Sequence, residues 1–407
     1  MTSSLTNDER LKRRRDYAGP VFLKEGFRPL FLAAALWAAL AAPLWVGVWV
    51  GLVAYGGTLD PLHWHIHEMM FGFVAAALGG FLLTAIPNWT GRLPVRGGSL
   101  AVLAALWLIG RVAMWYGEAL GVWATAAADL AYLTALCLCV AVEIAAGRNW
   151  RNLPVLAGVS LLLLANVLFH AGAAGLADTG EAAVRLSIAV MTVMIALIGG
   201  RIVPSFTHNW FARHDGPAIA APMQPFDIVT LLGTVAALAV WVFLGAGGVT
   251  GACLIVAGVL NLARLARWKG WRTAGEPLVT ILHVGYFWLG AGLFLMGLSM
   301  LGTGLRESAA LHVLTIGAMG TTILAVMTRA VLGHTGRALT AGPATRLIYA
   351  LVTFAVLFRV AFALQESIEL VWLSAGCWSA GFGLFAVVYG PMTMRSPAPA
   401  SGSSPAS

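Results

Sequence analysis

Charged residues are scarce in this sequence. Asp, Glu, Lys and Arg make up 10% of its 407 residues, whereas a soluble domain carries about 25%. Hydrophobic residues make up 59% of the chain, and the mean hydropathy is +0.84. This composition excludes a soluble globular protein and predicts one that crosses a lipid bilayer many times. The net charge of +8 does not indicate nucleic acid as a partner, because the basic residues lie in short connections between apolar segments.

Cysteines and intramembrane carboxylates are few as well. The four cysteines all lie within apolar segments, and Cys137 and Cys139, two residues apart, would face away from each other on a helix. That spacing suits neither a disulfide nor a metal clamp, so we interpret the cysteines as packing residues. Few Asp or Glu residues fall inside the apolar segments, so the sequence does not support proton pumping.

Twelve segments are apolar and long enough to cross about 30 Å of hydrocarbon as helices. The sequence therefore predicts an all-α integral membrane protein with one transmembrane domain, 21–395, between a disordered N-terminus, 1–20, and a disordered C-terminal tail, 396–407. The predicted spans lie at about 29–55, 63–86, 99–117, 121–145, 154–175, 182–203, 226–245, 249–266, 278–301, 308–331, 346–364 and 369–391.

Lysine and arginine residues alternate between the two sides of the predicted bundle. They cluster before the first span and after the second, fourth, sixth, eighth and tenth spans, whereas the opposite connections hold little beyond Arg185 and Arg306. Because basic residues are retained on the cytoplasmic side, both termini are predicted to be cytoplasmic. The first span is too long for the apolar part of a signal peptide and lacks a convincing cleavage site, so we expect it to be retained.

Two distant segments, 67–92 and 312–337, carry the same residues in the same register. His67 and His312 are 245 residues apart, as are Arg92 and Arg337, and six of the 26 aligned positions are identical. Each segment is an apolar span with a histidine near one end and Thr-Gly-Arg beyond the other. An imidazole at the edge of a lipid-buried helix is costly without a partner, so both histidines are candidate functional residues.

Five histidines are predicted at one level, near the outer boundary of the hydrocarbon. His63, His65 and His67 open the second span, His170 lies late in the fifth, and His312 starts the tenth. If the second span begins as a helix, His63 and His67 share a face and His65 points away; if it begins extended, all three line one side. Either arrangement suits copper, zinc or haem iron. The alternative is an interfacial cluster without metal, since His and Trp are common at headgroup depth.

The sharper hypothesis concerns His67 and His312. Two imidazoles on separate helices at equal depth could supply both axial ligands to a haem between them; alternatively, each histidine bonds a neighbouring helix. Arg111 and Arg359 are predicted in the outer half of the membrane, where an unpaired cation is expensive, and haem propionates would satisfy them. Pairing with Asp129 explains Arg111 equally well.

Two further features extend the histidine set. Glu68 follows His67 and could orient a ligand imidazole through its carboxylate. On the inner side, His283 and His334 could form a second metal site. The Gly and Arg residues at the inner span ends need no such role, because helix caps and the cytoplasmic bias of basic residues account for them.

Five long motifs follow one another along the chain: WHIHEMMFGF (64–73), FLLTAIPNWTGR (81–92), LIGGRIVPSFTHNW (197–210), ILHVGYFWLG (281–290) and LHVLTIGAMGTTILAVMTRAVLGHTGR (311–337). They span nearly the whole membrane region and closely resemble the motifs of the NnrS family. The resemblance implies a bacterial inner-membrane protein that contains haem and copper and acts in the nitric oxide response and in protection from nitrosative stress. The metal-ligand candidates remain the histidines already named: His63, His65, His67, His170, His283, His312 and His334.

A second, fold-level likeness is to the haem–copper oxidases. Their twelve helices form three four-helix arcs, and helices two and ten carry haem-ligating histidines on the outer side, which His67 and His312 match. The sequence departs from them because the tenth span lacks a closely spaced histidine pair, the sixth lacks a histidine in its outer half, and no His-His pair follows in the seventh. An oxidase-type binuclear centre is therefore not expected, and the likeness concerns architecture alone.

Together these observations predict a twelve-span protein that binds haem and copper near its outer face and binds or turns over nitric oxide or its metal adducts. A haem with one open axial position would bind nitric oxide, whereas two histidine ligands would make it an electron carrier. The sequence does not choose between these roles, and it identifies neither catalytic residues nor an electron donor. Two alternatives stay open: a transporter that exports a small ligand or metal complex along a histidine-lined path, and a sensor or assembly factor without turnover.

Overall fold

The computed structural model describes residues 17–214 and 216–396, and these residues form helices and connections without a β-strand. Twelve of the helices are long and apolar enough to cross a membrane, which confirms the predicted all-α membrane architecture. The predicted disordered segments lie almost entirely outside the described residues. The spans are α1 Phe27–Trp49, α2 Pro61–Thr90, α3 Gly98–Trp115, α4 Val122–Ala146, α5 Trp150–Ala173, α6 Gly180–Phe211, α7 Pro225–Leu244, α8 Gly248–Arg272, α9 Pro277–Ser299, α10 Glu307–His334, α11 Pro343–Ala363 and α12 Ile368–Met394.

The two ends of α2 show how local sequence sets the helix bounds. Asp60 precedes the helix in an extended conformation, and its carboxylate accepts hydrogen bonds from the backbone N–H groups of Leu62 and His63 at 3.0 and 3.2 Å. Pro61 occupies the first helical position, where its missing N–H costs nothing. At the other end, Gly91 adopts a left-handed conformation with φ of 69° and stops the helix. The first turn of α2, with its histidines, is therefore helical and firmly capped.

The helices pack in three groups of four: α3 to α6, α7 to α10, and α11, α12, α1 and α2. In the first two groups each helix packs against the next one along the chain, and in the third group the last span, α12, packs against the first, α1. This grouping matches the three four-helix arcs expected from the likeness to the oxidases. The helices that close the groups, α2, α6 and α10, line a small apolar cavity of about 70 Å³ together with Phe31 of α1. The predicted histidine positions on α2 and α10 therefore lie on interior helices.

The repeated segments of α2 and α10 share a helix distortion. Directly after His67, α2 widens into a π-helix over Glu68–Val74, and directly after His312, α10 does the same over Val313–Gly320. The two π-helical segments thus begin at equivalent positions of the sequence repeat. Such segments are rare and often lie at functional sites. The six identities of the repeat therefore mark a structural repeat.

Gly72 and Gly317 occupy equivalent positions in the two repeats, and each lies against a tryptophan of the preceding helix. A Cβ atom on Gly72 would lie 2.6 Å from Nε1 of Trp37 in α1, and one on Gly317 would lie 3.0 Å from the Trp288 side chain in α9. A side chain at Gly72 would force Trp37 to move, and one at Gly317 would press tightly on Trp288. The pairs α1–α2 and α9–α10 are thus packed in the same manner around their π-helical segments.

Candidate metal centre

His67 turns towards α4 and α5 and is fully buried. Its Nδ1 lies 3.2 Å from Oε1 of Glu68, and its Nε2 lies 3.1 Å from Oδ2 of Asp129 and 3.0 Å from Oδ1 of Asn166. Glu68 is therefore placed to orient the imidazole, as the sequence suggested. Both ring nitrogens of His67 face oxygen atoms, so each must offer a hydrogen or bind a cation that those oxygens also bind.

His170 of α5 completes a group of three metal-binding side chains. Its Nε2 lies 3.0 Å from the same Asp129 oxygen that faces His67, and the two imidazole centroids are 5.5 Å apart. One ligand atom from each of His67, Asp129 and His170 lies within 4.8 Å of the others. Two imidazole nitrogens and a carboxylate oxygen suit copper, zinc or iron. We call His67, Asp129 and His170 the α2–α4–α5 centre.

Arg111 of α3 holds the carboxylates of this centre together. One guanidinium nitrogen contacts Glu68 and another contacts Asp129, and all three side chains are buried. Of the two partners considered for Arg111, a haem propionate and Asp129, the geometry supports Asp129. Two carboxylates against one guanidinium leave one negative charge before the histidines are counted. A buried unbalanced charge is strongly unfavourable, so the centre requires a proton on one of its carboxylates or imidazoles, or a bound cation.

Asn166 fixes the geometry between α4 and α5. Its Nδ2 donates to Oδ2 of Asp129 at 2.8 Å, which leaves its Oδ1 facing His67. Asn166 and His170 are four residues apart and so lie on one face of α5. Sequence reasoning missed Asn166 and considered Asp129 only as a partner of Arg111. One signal could have revealed them: both are polar residues inside apolar spans, and both lie at the same depth as His67.

His65 and His312 lie on the other side of α2, away from this centre. His65 stacks on Trp45 of α1 with centroids 4.3 Å apart, and its buried Nδ1 has no hydrogen-bond partner among the described residues. Nδ1 of His312 lies 2.6 Å from the backbone oxygen of Ser308, one turn earlier in α10. The charge of Arg359 in α11 acts on both imidazoles.

The structure therefore does not bring His67 and His312 together as the expected pair. Two residues along a helix are separated by about 200°, so His67 and His65 point to opposite sides of α2. The ring nitrogens of His67 are directed towards Glu68 and the partners on α4 and α5, and His65 is the imidazole of α2 on the side of His312. Arg359 lies with His65 and His312, with its guanidinium 4.9 Å above the ring of Phe362.

His63 shares the side of α2 that carries His67, as expected for a helical start of this span. Both imidazoles contact Phe169 of α5, at centroid distances of 6.0 and 5.4 Å. Nδ1 of His63 contacts the carboxylate of Asp60. Burial raises the pKa of Asp60, but hydrogen bonds from the backbone N–H and the ring of His63 outweigh burial and hold that pKa below its ordinary value.

The inner histidines occupy separate surroundings. Nε2 of His283 lies 2.8 Å from Oγ1 of Thr207 in α6. His334 packs on Phe27 of α1 with centroids 5.4 Å apart and lies 4.0 Å from Glu25. Among these contacts, His283 lies against α6, whereas His334 lies against α1 and the residues that precede it. A second metal site made by His283 and His334 therefore stays a prediction.

The chain was compared with known proteins. The family described as NnrS protein matches residues 21–396, nearly the whole chain. The search among curated proteins found no match. The family match covers every span and the motifs that surround the α2–α4–α5 centre, and this protein therefore belongs to the NnrS family.

Proposed function

We propose that this protein binds copper at the α2–α4–α5 centre and haem on the opposite side of α2, and that it acts in the nitric oxide response. The observation that carries the proposal is the buried group of His67, Asp129 and His170, whose ligand atoms lie within 4.8 Å of one another. The negative charge left by Glu68, Asp129 and Arg111 favours a bound cation there. Copper takes imidazole and carboxylate ligands readily, and membership of the NnrS family supports a role in the nitric oxide response.

The donor set near α10 and α11 fits haem. A hydrogen bond from Nδ1 of His312 to the Ser308 carbonyl oxygen would leave Nε2 with the lone pair that a metal requires. Nη1 of Arg359 is buried without a hydrogen-bond partner in the described part of the chain, as is Nδ1 of His65. A haem carboxylate would satisfy the guanidinium, and His312 or His65 would hold the iron.

In this proposal, the side chains hold the cofactors in a dry interior. Glu68 and Asn166 orient His67 and Asp129, and Arg111 offsets the carboxylate charge. Trp45 covers His65 through their stacked rings. When bound, haem iron and copper supply a binding site for nitric oxide and a route for electrons from an external donor. The α2–α4–α5 centre lies on the periplasmic side if both termini are cytoplasmic and the protein is in the bacterial inner membrane.

Cofactor analysis of the purified full-length protein tests the proposal. We expect copper by elemental analysis and a haem Soret band, with haem quantified as the pyridine haemochrome. His67→Ala and His170→Ala should lose copper and keep haem, whereas His312→Ala should lose haem and keep copper. His208→Ala, at an exposed position in the last turns of α6, is the matched control and should keep both. Absence of both cofactors from the wild-type protein would contradict the proposal and favour the alternative function, export of a small ligand or metal complex.

Anaerobic measurement of nitric oxide consumption then separates turnover from sensing. With a chemical electron donor, an enzyme should consume nitric oxide in proportion to its haem and copper content. A sensor should bind nitric oxide with a shift of the Soret band and no continued consumption. The His67→Ala and His312→Ala variants show which cofactor the reaction requires.

A further inference from the structure

A cavity of about 510 Å³ lies at the end of the bundle where α2 begins. It is enclosed by the first turn of α2 and by the connection between α5 and α6. The residues that line it include Asp60, His63, Phe169, Asp178, Thr179 and Gly180. It therefore combines an imidazole and two carboxylate side chains in a space large enough for a hydrated ion. We call it the α5–α6 cavity.

His63 is oriented as a metal ligand is usually oriented. Its Nδ1 contacts Asp60, and Asp60 is itself held by backbone N–H groups of the same helix turn. A carboxylate on one ring nitrogen leaves the other nitrogen available for a metal. That other nitrogen faces Gly180 at the start of α6, where a Cβ atom would still lie 4.0 Å away. Both residues line the cavity, and a Cβ on Gly180 would meet no other atom within 4 Å.

A single aromatic side chain separates His63 from the α2–α4–α5 centre. The ring of Phe169 packs edge-on against both His63 and His67. Phe169 also directly precedes His170 in α5. The cavity and the buried centre are thus adjacent, because Phe169 lines the cavity and also contacts His67.

We propose that the α5–α6 cavity is the site where a transition-metal ion first binds on its way to the α2–α4–α5 centre, with Nε2 of His63 and the Asp178 carboxylate as its first ligands. This inference rests on the proposed copper site and adds the route by which the ion enters. The ion exchanges ligands along the route without a redox step. Loss of His63 should slow loading and leave the final metal content unchanged, because His63 is not a ligand of the buried centre.

Loading kinetics of the metal-free, full-length protein in detergent test this inference. Cu²⁺ is added, and its arrival at nitrogen ligands is followed by absorbance and by electron paramagnetic resonance. His63→Ala should load roughly tenfold more slowly than the wild type, with the same final stoichiometry. Loading of His63→Ala at the wild-type rate would overturn the inference.

A second variant tests the route without removing a ligand. Gly180→Cys, modified with a bulky maleimide, should block the cavity and prevent loading. Leu52→Cys is the matched control, because Leu52 is 77% exposed in the connection between α1 and α2 at the same end of the bundle, and its modification should leave loading unchanged. Unimpaired loading of modified Gly180→Cys would overturn the inference but leave the proposed function standing. A wild-type protein that takes up no copper would instead overturn the proposed function, and the inference with it.

Discussion

At the scale of single residues, Asp129 is the side chain on which the α2–α4–α5 centre depends. One of its oxygens is shared by His67, Asn166 and His170, and the other contacts Arg111. Four polar partners on one buried carboxylate form a network in which each bond supports the others. Removing the charge should therefore affect both metal binding and folding.

We predict that Asp129→Asn weakens copper binding by roughly 10- to 100-fold. It should also destabilise the metal-free protein by about 1–3 kcal/mol, because the amide nitrogen of Asn cannot accept the hydrogen bonds that the carboxylate accepts. Competition with a chelator measures the affinity, and thermal unfolding followed by circular dichroism measures the stability. Glu118→Gln, on the exposed connection between α3 and α4, is the control and should change neither. Wild-type affinity in Asp129→Asn would show that the carboxylate is not a ligand.

Arg359 presents the opposite situation, a cation without an anionic partner among the described residues. Its Nη1 is buried and unpaired, and its only described stabilising contact is with the ring of Phe362. In the cofactor-free protein, Arg359→Met should raise the stability by about 1 kcal/mol, less than the ~3 kcal/mol that a charge costs at the bilayer centre. The same substitution should reduce haem content, because a haem carboxylate would lose its partner.

Thermal unfolding of the cofactor-free protein and haem quantitation check this prediction together. Arg306→Met is the matched control, since Arg306 is exposed and pairs with Glu366; it should leave haem content unchanged. A variant of Arg359 that is less stable and binds haem normally would assign the guanidinium a purely structural role.

The histidine assignments show what residue-level reasoning could reach. The sequence was sufficient to select His67, His170 and His312 as candidates, because an imidazole in an apolar span is costly. It was also sufficient to place His63 and His67 on one face of a helix. It could not show which neighbour each face meets, since that depends on how α2 is rotated within the bundle. The partners of His67 are therefore on α4 and α5, not on α10.

At the scale of the element, the π-helical segments of α2 and α10 set the direction of the residues around them. A π-helix changes the angle between successive side chains, so the segment that begins at Glu68 determines where Glu68 points relative to His67. The sequence repeat predicted that the two segments are equivalent. It did not predict the π-helix or its neighbours, because the local pattern does not show that Trp37 of α1 lies against Gly72.

We predict that Gly72→Ala disturbs the α2–α4–α5 centre without touching a ligand. The new Cβ would lie 2.6 Å from Nε1 of Trp37 and 2.8 Å from Oε2 of Glu68, so both side chains must move. Overpacking of this kind costs about 1–3 kcal/mol. Displacement of Glu68 should also lower the copper affinity, because Glu68 orients His67.

Gly383→Ala in α12 is the control for this substitution. A Cβ on Gly383 meets nothing within 4 Å, so the stability should stay the same or rise slightly. Thermal unfolding and copper affinity are measured for both variants. A Gly72→Ala protein with normal stability and copper affinity would show that the π-helical segment tolerates a side chain there.

At the scale of the whole molecule, the sequence was sufficient to predict twelve spans but not the contacts that join the three groups of helices. Arg264 shows the reason. The charge pattern placed it among the basic residues that follow the eighth span, yet it lies within α8 and is fully buried. Its guanidinium binds Asp227 of α7 at 2.7 Å, the Ala196 carbonyl oxygen of α6 at 3.0 Å and the Tyr286 hydroxyl of α9 at 2.9 Å. One side chain thus joins α6 to the group that contains α7, α8 and α9, a role that depends on tertiary contacts and not on local pattern.

This arrangement predicts that global stability and metal binding can be separated. Arg264→Met should destabilise the bundle by about 3–5 kcal/mol, because it leaves Asp227 buried without its main partner. Arg264 makes no contact with the α2–α4–α5 centre, so copper content per folded molecule should stay at the wild-type level. Arg272→Met, at an exposed position after the helical part of α8, is the control and should unfold like the wild type. Loss of copper in folded Arg264→Met would show that the centre is held by the packing between the groups of helices, and not by the local network around Asp129 alone.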